Sequence, residues 1–313
     1  MNTVNSVLGA IDTASLGFTL MHEHLLVSSA GVSQGYPGLL DEGFIDQIVD
    51  GLVQAKNGGV RTVVDATTLD LGRDVKVLVK ASRRSGVNVI AVTGWWLDVP
   101  RHLLNVSADD FAEMFIHDIQ VGIDGTDVKA GLLKSASDMA GVSATDERVL
   151  RGVARAHAQT GVPIMLHSYS PGQVGRRQVA ILREEGVDLT RVKVDHSNDT
   201  TDLEYLAWLI GQGCYLGMDR YPGRNTSPLA RTRTMKALMD AGHGEKLLPS
   251  HDWALARITS DVTMEERRSR NPHGFLYMKN VVYPQLEEMG VSTVDRESLF
   301  TDNPKRFFEG TSQ

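Results

Sequence analysis

The sequence predicts a single (β/α)8 TIM barrel over residues 1–313, and three observations support this fold class. Short apolar, β-branched runs alternate with longer stretches of helical periodicity, and eight such units follow one another. Several helical stretches end in a glycine just before the next strand, which is the usual end of a helix. No Gly-rich phosphate-binding loop follows a strand, which disfavours a doubly wound open sheet.

Each predicted strand is a short apolar run, and each predicted helix carries apolar residues three and four positions apart. The strands are predicted at residues 18–24, 60–67, 87–94, 128–136, 162–168, 191–197, 214–220 and 246–252. The helices are predicted at residues 41–57, 73–85, 107–121, 145–160, 173–186, 200–212, 228–241 and 273–289. We expect residues 1–17 to form a hairpin that closes the barrel floor, and residues 253–274 to form a long, lid-like loop after the eighth strand.

The composition indicates a cytoplasmic protein that acts on a small molecule. The chain has 32 basic and 39 acidic residues, and a net charge of −7 disfavours nucleic acid as a partner. The single cysteine, Cys214, excludes an internal disulfide, and we expect it to be a buried apolar residue. No secretory signal is visible, and no apolar run approaches the 18 residues typical of a membrane span.

Polar residues cluster at the carboxyl ends of the predicted strands, which is the active-site face of such a barrel. The strand ends carry His22, His24, Lys134, His167, Asp195, His196, Asp219, Arg220, His251 and Asp252. Because side chains alternate along a strand, His22 and His24 should point the same way and Glu23 away. Four histidines and a carboxylate form a nitrogen and oxygen site suited to Zn²⁺, Fe²⁺, Mn²⁺ or Co²⁺.

The remaining histidines are not expected to bind metal. His251 alternates with Asp252 and should lie outside the metal site. Five others fall in helices or loops, where we expect them to be solvated: His102, His117, His157, His243 and His273.

Lys134 allows three interpretations. A lysine buried beside metal ions loses its proton readily, and the neutral amine can take up carbon dioxide to form a carbamate that bridges two ions. Alternatively, Lys134 pairs with a nearby carboxylate. In a third interpretation it forms a Schiff base, as in a metal-free aldolase, but the histidine pair would then have no purpose.

The chain resembles the phosphotriesterase family of the amidohydrolase superfamily, including its lactonase branch. The resemblance runs essentially from one end of the chain to the other and is carried by five segments. The resemblance rests on "GFTLMHEHLLV" (17–27), "VVDATTLDLGRD" (63–74), "AGLLKSAS" (130–137), "SHDW" (250–253) and "DNPKRFF" (302–308). Their shared order along the chain makes the match specific.

The resemblance implies a binuclear metal centre. His22, His24 and Asp252 would hold the more buried ion, and His167 and His196 the outer one. Carboxylated Lys134 and a hydroxide would bridge the two ions, and the hydroxide would attack the substrate. Asp252 would also accept the proton. Zinc is the first candidate, with iron, cobalt or manganese as alternatives, and related barrels suggest a homodimer.

The segment "GMDRYPG" (217–223) resembles the lactonase branch. The resemblance implies a lactonase, with N-acyl-homoserine lactones as candidate substrates and a promiscuous phosphotriesterase activity. The alternative is a hydrolase of organophosphate triesters or of another ester or amide. Arg220 would orient a substrate oxygen, unless it pairs with Asp219, and Trp96 stands where the branch has a tyrosine.

The arginine cluster of the lid-like loop leaves two interpretations open. Arg267, Arg268 and Arg270 would favour an anionic substrate group, or would only form a solvated face.

Overall fold

The computed structural model describes residues 2–40, 43–223, 225–258 and 263–310, and it confirms the predicted barrel. Two short strands come first, β1 (Thr3–Ser6) and β2 (Gly9–Asp12), and form an antiparallel hairpin. The eight strands of the barrel are β3 (Thr19–Val27), β4 (Thr62–Asp65), β5 (Asn88–Gly94), β6 (Leu132–Ser137), β7 (Ile164–Ser168), β8 (Val192–Val194), β9 (Tyr215–Met218) and β10 (Leu247–Pro249). A further strand, β11 (Ala254–Arg257), follows β10.

All nine strands from β3 to β11 run parallel in one sheet, in the order β10-β9-β8-β7-β6-β5-β4-β3-β11. The barrel closes between its last and first strands. The amide of Asp252 donates to the carbonyl of His22 at 3.0 Å, and the amide of His22 donates to Ser250 Oγ at 3.0 Å. Further on, Ala254 of β11 pairs with His24. The end of the chain's last barrel strand therefore runs directly beside the two histidines of the first.

The helices cover the outside of the sheet and follow the predicted order. They are α1 (Val32–Gly35), α2 (Phe44–Asn57), α3 (Val75–Ser85), α4 (Ala108–Gln120), α5 (Ala144–Thr160), α6 (Gly175–Glu184), α7 (Leu203–Gly211), α8 (Pro228–Asp240), α9 (Met264–Arg270), α10 (Tyr283–Glu288), α11 (Thr293–Ser298) and α12 (Asp302–Glu309). Capping boxes at Ser107 and Ser143 start α4 and α5. Gly86 and Gly161, at φ 69° each, end α3 and α5 in the left-handed conformation.

The apolar core has two layers. Inside the barrel, alternate strands contribute packed residues such as Met21, Ile90 and Met165. Between the sheet and the helices lies a larger layer, which includes Leu20 and Leu133. Because both faces of each strand are covered, the strands are buried throughout, as parallel strands are in such barrels.

An irregularity in β3 sets the direction of the two histidines. From the pair Leu20 and Val63 to the pair Glu23 and Asp65, β3 advances three residues while β4 advances two. This bulge adds one residue to β3 and interrupts the alternation of its side chains. Met21 therefore packs in the barrel interior while the neighbouring His22 also faces inward.

The segment expected to form a lid-like loop, residues 253–274, contains β11 and α9, and its residues 259–262 lie outside the described ranges. Two other sequence-based expectations differ from the structure. The predicted helix at 273–289 is divided into a π-helix at Met278–Val282 and α10, whose Pro284 has no amide hydrogen to continue the hydrogen bonding. His157 was expected to be solvated but is buried, and its Nδ1 lies 2.8 Å from the carbonyl oxygen of Val162.

No helix in the described ranges is long and apolar enough to cross a membrane.

Gly94, the last residue of β5, lies against the backbone of Lys134 on β6. Gly94 has φ 127°, and an added Cβ would lie 1.8 Å from the backbone oxygen of Lys134. Gly94→Ala should therefore cost roughly 3 kcal/mol or more of unfolding free energy. Gly161→Ala is the matched control, because its φ is also positive but no described atom lies within 4 Å of the added Cβ; it should cost about 1–2 kcal/mol. Urea unfolding measures both, and equal losses would contradict the prediction.

Candidate metal centre

The carboxyl ends of the barrel strands surround a cavity of about 600 Å³. Its lining includes every side chain that the sequence analysis proposed as a ligand: His22, His24, Lys134, His167, His196 and Asp252. Arg220 and Trp96 also line this cavity. The structure thus brings together residues from seven different parts of the sequence.

His22, His24 and Asp252 form the inner group. The Oδ1 atom of Asp252 lies 3.4 Å from His22 Nε2 and 3.2 Å from His24 Nε2. One carboxylate oxygen and two ring nitrogens thus face a common point, which is the arrangement that a divalent ion needs. His22, His196 and Asp252 also satisfy this condition together, with their ligand atoms within 4.8 Å of one another.

His167 and His196 form the outer pair. Nδ1 of His167 lies 2.8 Å from Nε2 of His196. Two nitrogens bound to one zinc ion at the usual bond length and tetrahedral angle would be roughly 3.3 Å apart. A separation of 2.8 Å requires only a small movement to admit an ion.

Two of these residues have unusual backbone conformations. His196 has φ 59° and Asp252 has φ 52°, and both lie in the left-handed region that residues other than glycine rarely adopt. Such conformations cost on the order of 1–3 kcal/mol and are concentrated at functional sites, where the surrounding structure holds them. The two strained residues face the same cavity from the segments that follow strands β8 and β10.

Neighbouring oxygens hold the histidine rings in orientations suited to metal binding. His24 Nδ1 lies 2.7 Å from Thr67 Oγ1, and His196 Nδ1 lies 2.9 Å from Asp219 Oδ1. These oxygens can accept the Nδ1 hydrogen, which leaves Nε2 with a free lone pair toward the cavity. Thr67 was not identified from the sequence, because nothing in its local pattern shows that it faces a histidine 43 residues earlier.

Three further buried charges lie below His22. His22 Nδ1 is 3.1 Å from Asp195 Oδ2 and 3.2 Å from Asp219 Oδ2, and Lys193 Nζ is 2.7 Å from Asp195 Oδ1. Burial alone would lower the pKa of His22, but the two carboxylates outweigh it and raise the pKa to about 9. An ion that binds His22 must therefore displace a proton at neutral pH.

The other three histidines proposed as ligands, His24, His167 and His196, are neutral and can bind metal. Burial lowers the pKa of His24, His167 and His196, most strongly for His196, which also lies near the charge of Arg220. Neutral imidazole is the form that coordinates metal ions.

Lys134 differs from the other buried lysine. Its Nζ donates to the carbonyl of Ala66 at 2.8 Å, and no carboxylate of the described residues lies within 4.0 Å of it. Burial lowers the pKa of Lys134, which favours the neutral amine. The Nζ atom of Lys193, in contrast, lies 2.7 Å from Asp195 Oδ1. The expected alternative of Lys134 in a close carboxylate pair is therefore not found among the described residues.

Arg220 pairs with carboxylates other than the one expected from its position. Its Nε donates to Asp252 Oδ2 at 3.0 Å, and its Nη1 donates to Asp199 Oδ2 at 2.6 Å. Burial would by itself raise the pKa of Asp252, but His22, His24 and Arg220 together hold that pKa well below the usual value. Asp252 is therefore a carboxylate, with one oxygen toward the histidines and one toward Arg220.

Trp96 forms part of the cavity wall above the outer pair. Its Nε1 lies 3.4 Å from His167 Nδ1, and its amide donates to both oxygens of Asp70 at 3.1 Å. The backbone of Trp96 is thus fixed by Asp70, while its half-buried indole presents a flat apolar surface to the cavity.

His251 also lines the cavity, but both of its ring nitrogens have partners within the protein, Glu23 and the amide of Met278. Its Nδ1 is 2.5 Å from Glu23 Oε1, and the same oxygen accepts from the amide of His251 at 2.9 Å and from Ser250 Oγ at 2.7 Å. Glu23 therefore connects the first barrel strand to the segment after the last one.

Comparison with known proteins identifies relatives over the whole chain. The model of the phosphotriesterase family matches residues 2–308. A phosphotriesterase homology protein of Mycobacterium tuberculosis is 38% identical over 326 residues, covering 99% of this chain and 98% of its own. An aryldialkylphosphatase of Saccharolobus solfataricus is 36% identical, covering 96% and 97%. An N-acetyltaurine hydrolase of Xenopus tropicalis is 23% identical, covering 97% of both chains.

Proposed function

The chain belongs to the phosphotriesterase family and is a hydrolase of that family, and we propose that it hydrolyses lactones at a centre of two divalent ions. The ligands would be His22, His24 and Asp252 for the inner ion, and His167 and His196 for the outer one. Carboxylated Lys134 would bridge the ions, with zinc as the first candidate metal and iron, cobalt or manganese as alternatives. The convergence of Asp252 with two histidine nitrogens, at 3.2 and 3.4 Å, carries this proposal.

Two bound ions would make water acidic enough to supply hydroxide at neutral pH and would polarise the carbonyl group under attack. The protein's part begins with Asp252. This carboxylate accepts the proton of the attacking water and delivers it to the oxygen that leaves when the ring opens. An alkoxide is a much stronger base than an aryl oxide, so a lactone needs this proton more than an aryl phosphotriester does.

Arg220 would orient the substrate and Asp252 together. Its guanidinium stays charged because Asp252 and Asp199 outweigh the effect of burial and raise its pKa. Through its ion pair with Asp252 it keeps one carboxylate oxygen directed away from the histidines, toward the position where the leaving oxygen would appear. Trp96 would support the ring or tail of the substrate through apolar contact.

N-acyl-homoserine lactones are the candidate substrates. A weak phosphotriesterase activity would accompany lactone hydrolysis. A second candidate is the hydrolysis of another ester or an amide at the same centre. The name of the Xenopus relative, N-acetyltaurine hydrolase, supports this candidate, because N-acetyltaurine is an amide. An aldolase mechanism at Lys134 is not retained, since the chain is a hydrolase and a Schiff base would leave the histidines without a role.

A paired rate assay on metal-reconstituted enzyme tests the choice of substrate. We expect kcat/KM for γ- and δ-lactones to exceed that for an aryl dialkyl phosphotriester by about 10³-fold, roughly 4 kcal/mol of transition-state preference. Removal of the metal with a chelator should abolish both activities, and adding divalent ions back should restore them. A preference for the phosphotriester would contradict the lactonase proposal while leaving the metal centre in place.

A further inference from the structure

The outer surface of the barrel carries a second cavity, a groove of about 810 Å³ along α3. It lies between α3, the turn that joins β1 to β2, and the loop that precedes β6. The described residues that line this α3 groove come from the ranges 7–9, 75–84 and 126–128, and none of them lines the cavity of the metal centre. A ligand in the α3 groove would therefore bind apart from the reacting centre.

The floor of the α3 groove is apolar. Valine side chains from three separate segments line it, namely Val7, Val75, Val79 and Val128. Leu8, at the turn between β1 and β2, lines the same groove and is 49% exposed. A contiguous apolar surface that stays open to water is typical of a place where a ligand binds.

Hydrogen bonds hold the two walls beside this floor in place. The amide of Val7 donates to the carbonyl of Val89 at 2.8 Å, which ties the β1–β2 turn to β5. In the other wall, the amide of Ile123 donates to the carbonyl of Val128 at 2.8 Å, and Thr126 Oγ1 donates to the carbonyl of Ile123 at 2.7 Å. Because the walls are fixed, little conformational entropy is lost when the α3 groove is filled.

Four cationic side chains of α3 line the same groove: Lys76, Lys80, Arg83 and Arg84. Residues three and four positions apart lie on the same side of a helix, so these charges form one stripe above the valine floor. Arg84 pairs with Asp46 at 2.7 Å. Lys76, Lys80 and Arg83 are exposed, and they form no ion pair with any residue that the structure describes.

This stripe of cations is unfavourable for the helix itself. Lys76 and Lys80 are four residues apart, and like charges at this spacing repel each other. Lys236 of α8 has the opposite arrangement, with Asp240 four residues later at 2.6 Å. Among the described lining residues the one carboxylate is Asp127, although the whole chain carries a net charge of −7. Positive charge concentrated beside an apolar floor in an acidic protein therefore favours an anionic ligand.

We propose that the α3 groove binds the anion of a long-chain carboxylic acid. The carboxylate lies among Lys76, Lys80 and Arg83, and the alkyl chain lies on the valine floor. A short anion would leave the floor exposed to water, and a neutral chain would leave the cations unpaired, so the ligand needs both parts. The seven residues from Lys76 to Arg83 correspond to about 10 Å of helix, which gives an alkyl chain room to lie along α3.

Two sources supply a ligand of this chemistry. One is a free fatty acid. The other is the ring-opened product of an N-acyl-homoserine lactone, which combines an acyl chain with a carboxylate. The binding site itself does not depend on the proposed function, because its lining is separate from the metal centre.

Calorimetric titration of the wild-type holoenzyme tests the site. The ligands are butyrate, hexanoate and octanoate below micelle-forming concentrations, neutral 1-octanol, and N-octanoyl-homoserine. Two variants change the groove: Lys80→Gln/Arg83→Gln removes two cations, and Leu8→Ser removes an exposed apolar side chain. The matched control is Arg233→Gln/Lys305→Gln, which changes one arginine and one lysine on α8 and α12, outside the described lining.

We expect each added methylene, from butyrate to octanoate, to lower Kd by roughly two- to fourfold. Lys80→Gln/Arg83→Gln should raise the Kd of octanoate by about tenfold or more and leave that of 1-octanol unchanged. Leu8→Ser should raise the Kd of octanoate by roughly twofold and leave that of butyrate unchanged. The control should bind as the wild type does. All variants should keep the wild-type rate of lactone hydrolysis, which also verifies that they fold.

Equal octanoate binding by the wild type and Lys80→Gln/Arg83→Gln would overturn the site, because carboxylate bound to the metal ions would behave in this way. Equal Kd values for 1-octanol and octanoate, or no octanoate binding, would also overturn it. Phosphatidylglycerol vesicles that retain the wild type but not this variant, without octanoate binding, would assign the α3 groove to a membrane surface instead.

The ring-opened ligand distinguishes the two sources. Tighter binding of N-octanoyl-homoserine than of octanoate supports the site and identifies the reaction product as its ligand, whereas the reverse order supports the site and identifies free fatty acids. Because the titration needs no turnover, failure of the lactonase proposal would leave a positive result standing, and a negative result would leave the lactonase proposal standing.

Discussion

Asp252→Asn should lower kcat/KM for lactones by about 10³-fold or more. The change removes the negative charge that faces the nitrogens of His22 and His24, and it removes the acceptor for the proton of water. It also leaves Nε of Arg220 without its ionic partner. Steady-state kinetics and metal analysis of the purified variant measure these effects separately.

Asp199→Asn is the matched control for this change. Asp199 holds the other side of Arg220 at 2.6 Å, so the variant loses the same charge without losing an oxygen that faces the histidines. We expect it to lose about tenfold at most. An Asp252→Asn enzyme that keeps more than about a tenth of the wild-type rate would contradict the proposed role of this carboxylate.

Lys134→Ala should lose about 10³-fold or more in activity together with one or both metal ions, because the bridging oxygens would be gone. If Lys134 acts as a carbamate, millimolar acetate or propionate should restore part of the activity, since a small carboxylate can enter the space left by the side chain and supply two oxygens. Addition of a short amine such as ethylamine is the control and should restore none.

A direct observation complements this rescue. Wild-type enzyme reconstituted with ¹³C-labelled bicarbonate and a divalent metal should show a carbamate carbon signal by NMR, and Lys134→Ala should lack it. Lys193→Met should keep the signal, because Lys193 Nζ is paired with Asp195 at 2.7 Å and does not line the cavity. Rescue by ethylamine, or a signal that persists in Lys134→Ala, would contradict the carbamate.

The strand ends were predictable from the sequence because each strand is an apolar run that ends at a polar residue. His167 and His196 are examples, and they lie close together, at 2.8 Å, because β7 and β8 are neighbours in the sheet. The resemblance to a known family then supplied the order of the ligands around the centre. Together these sources identified every proposed ligand.

The partners of those ligands were not predictable, because they depend on angles and distances between strands. Arg220 could have paired with its neighbour Asp219, yet its side chain lines the cavity after β9 and reaches Asp199 and Asp252. In the sequence, Lys193 and Asp195 look like the ordinary alternating residues of a strand. Only the three-dimensional structure shows that they pair with each other below His22. The bulge in β3 could likewise not be predicted from the sequence of β3, because it is defined by the pairing of β3 with β4.

Glu23 has a consequence for the order in which the enzyme matures. It joins β3 to residues 250–253, the segment that brings Asp252 beside His22 and His24. The inner group therefore combines the first barrel strand with the last, whereas His167 and His196 belong to the middle of the chain. A nascent polypeptide still lacking its final strand cannot assemble the inner site, so metal binding there would report that synthesis of the barrel is complete.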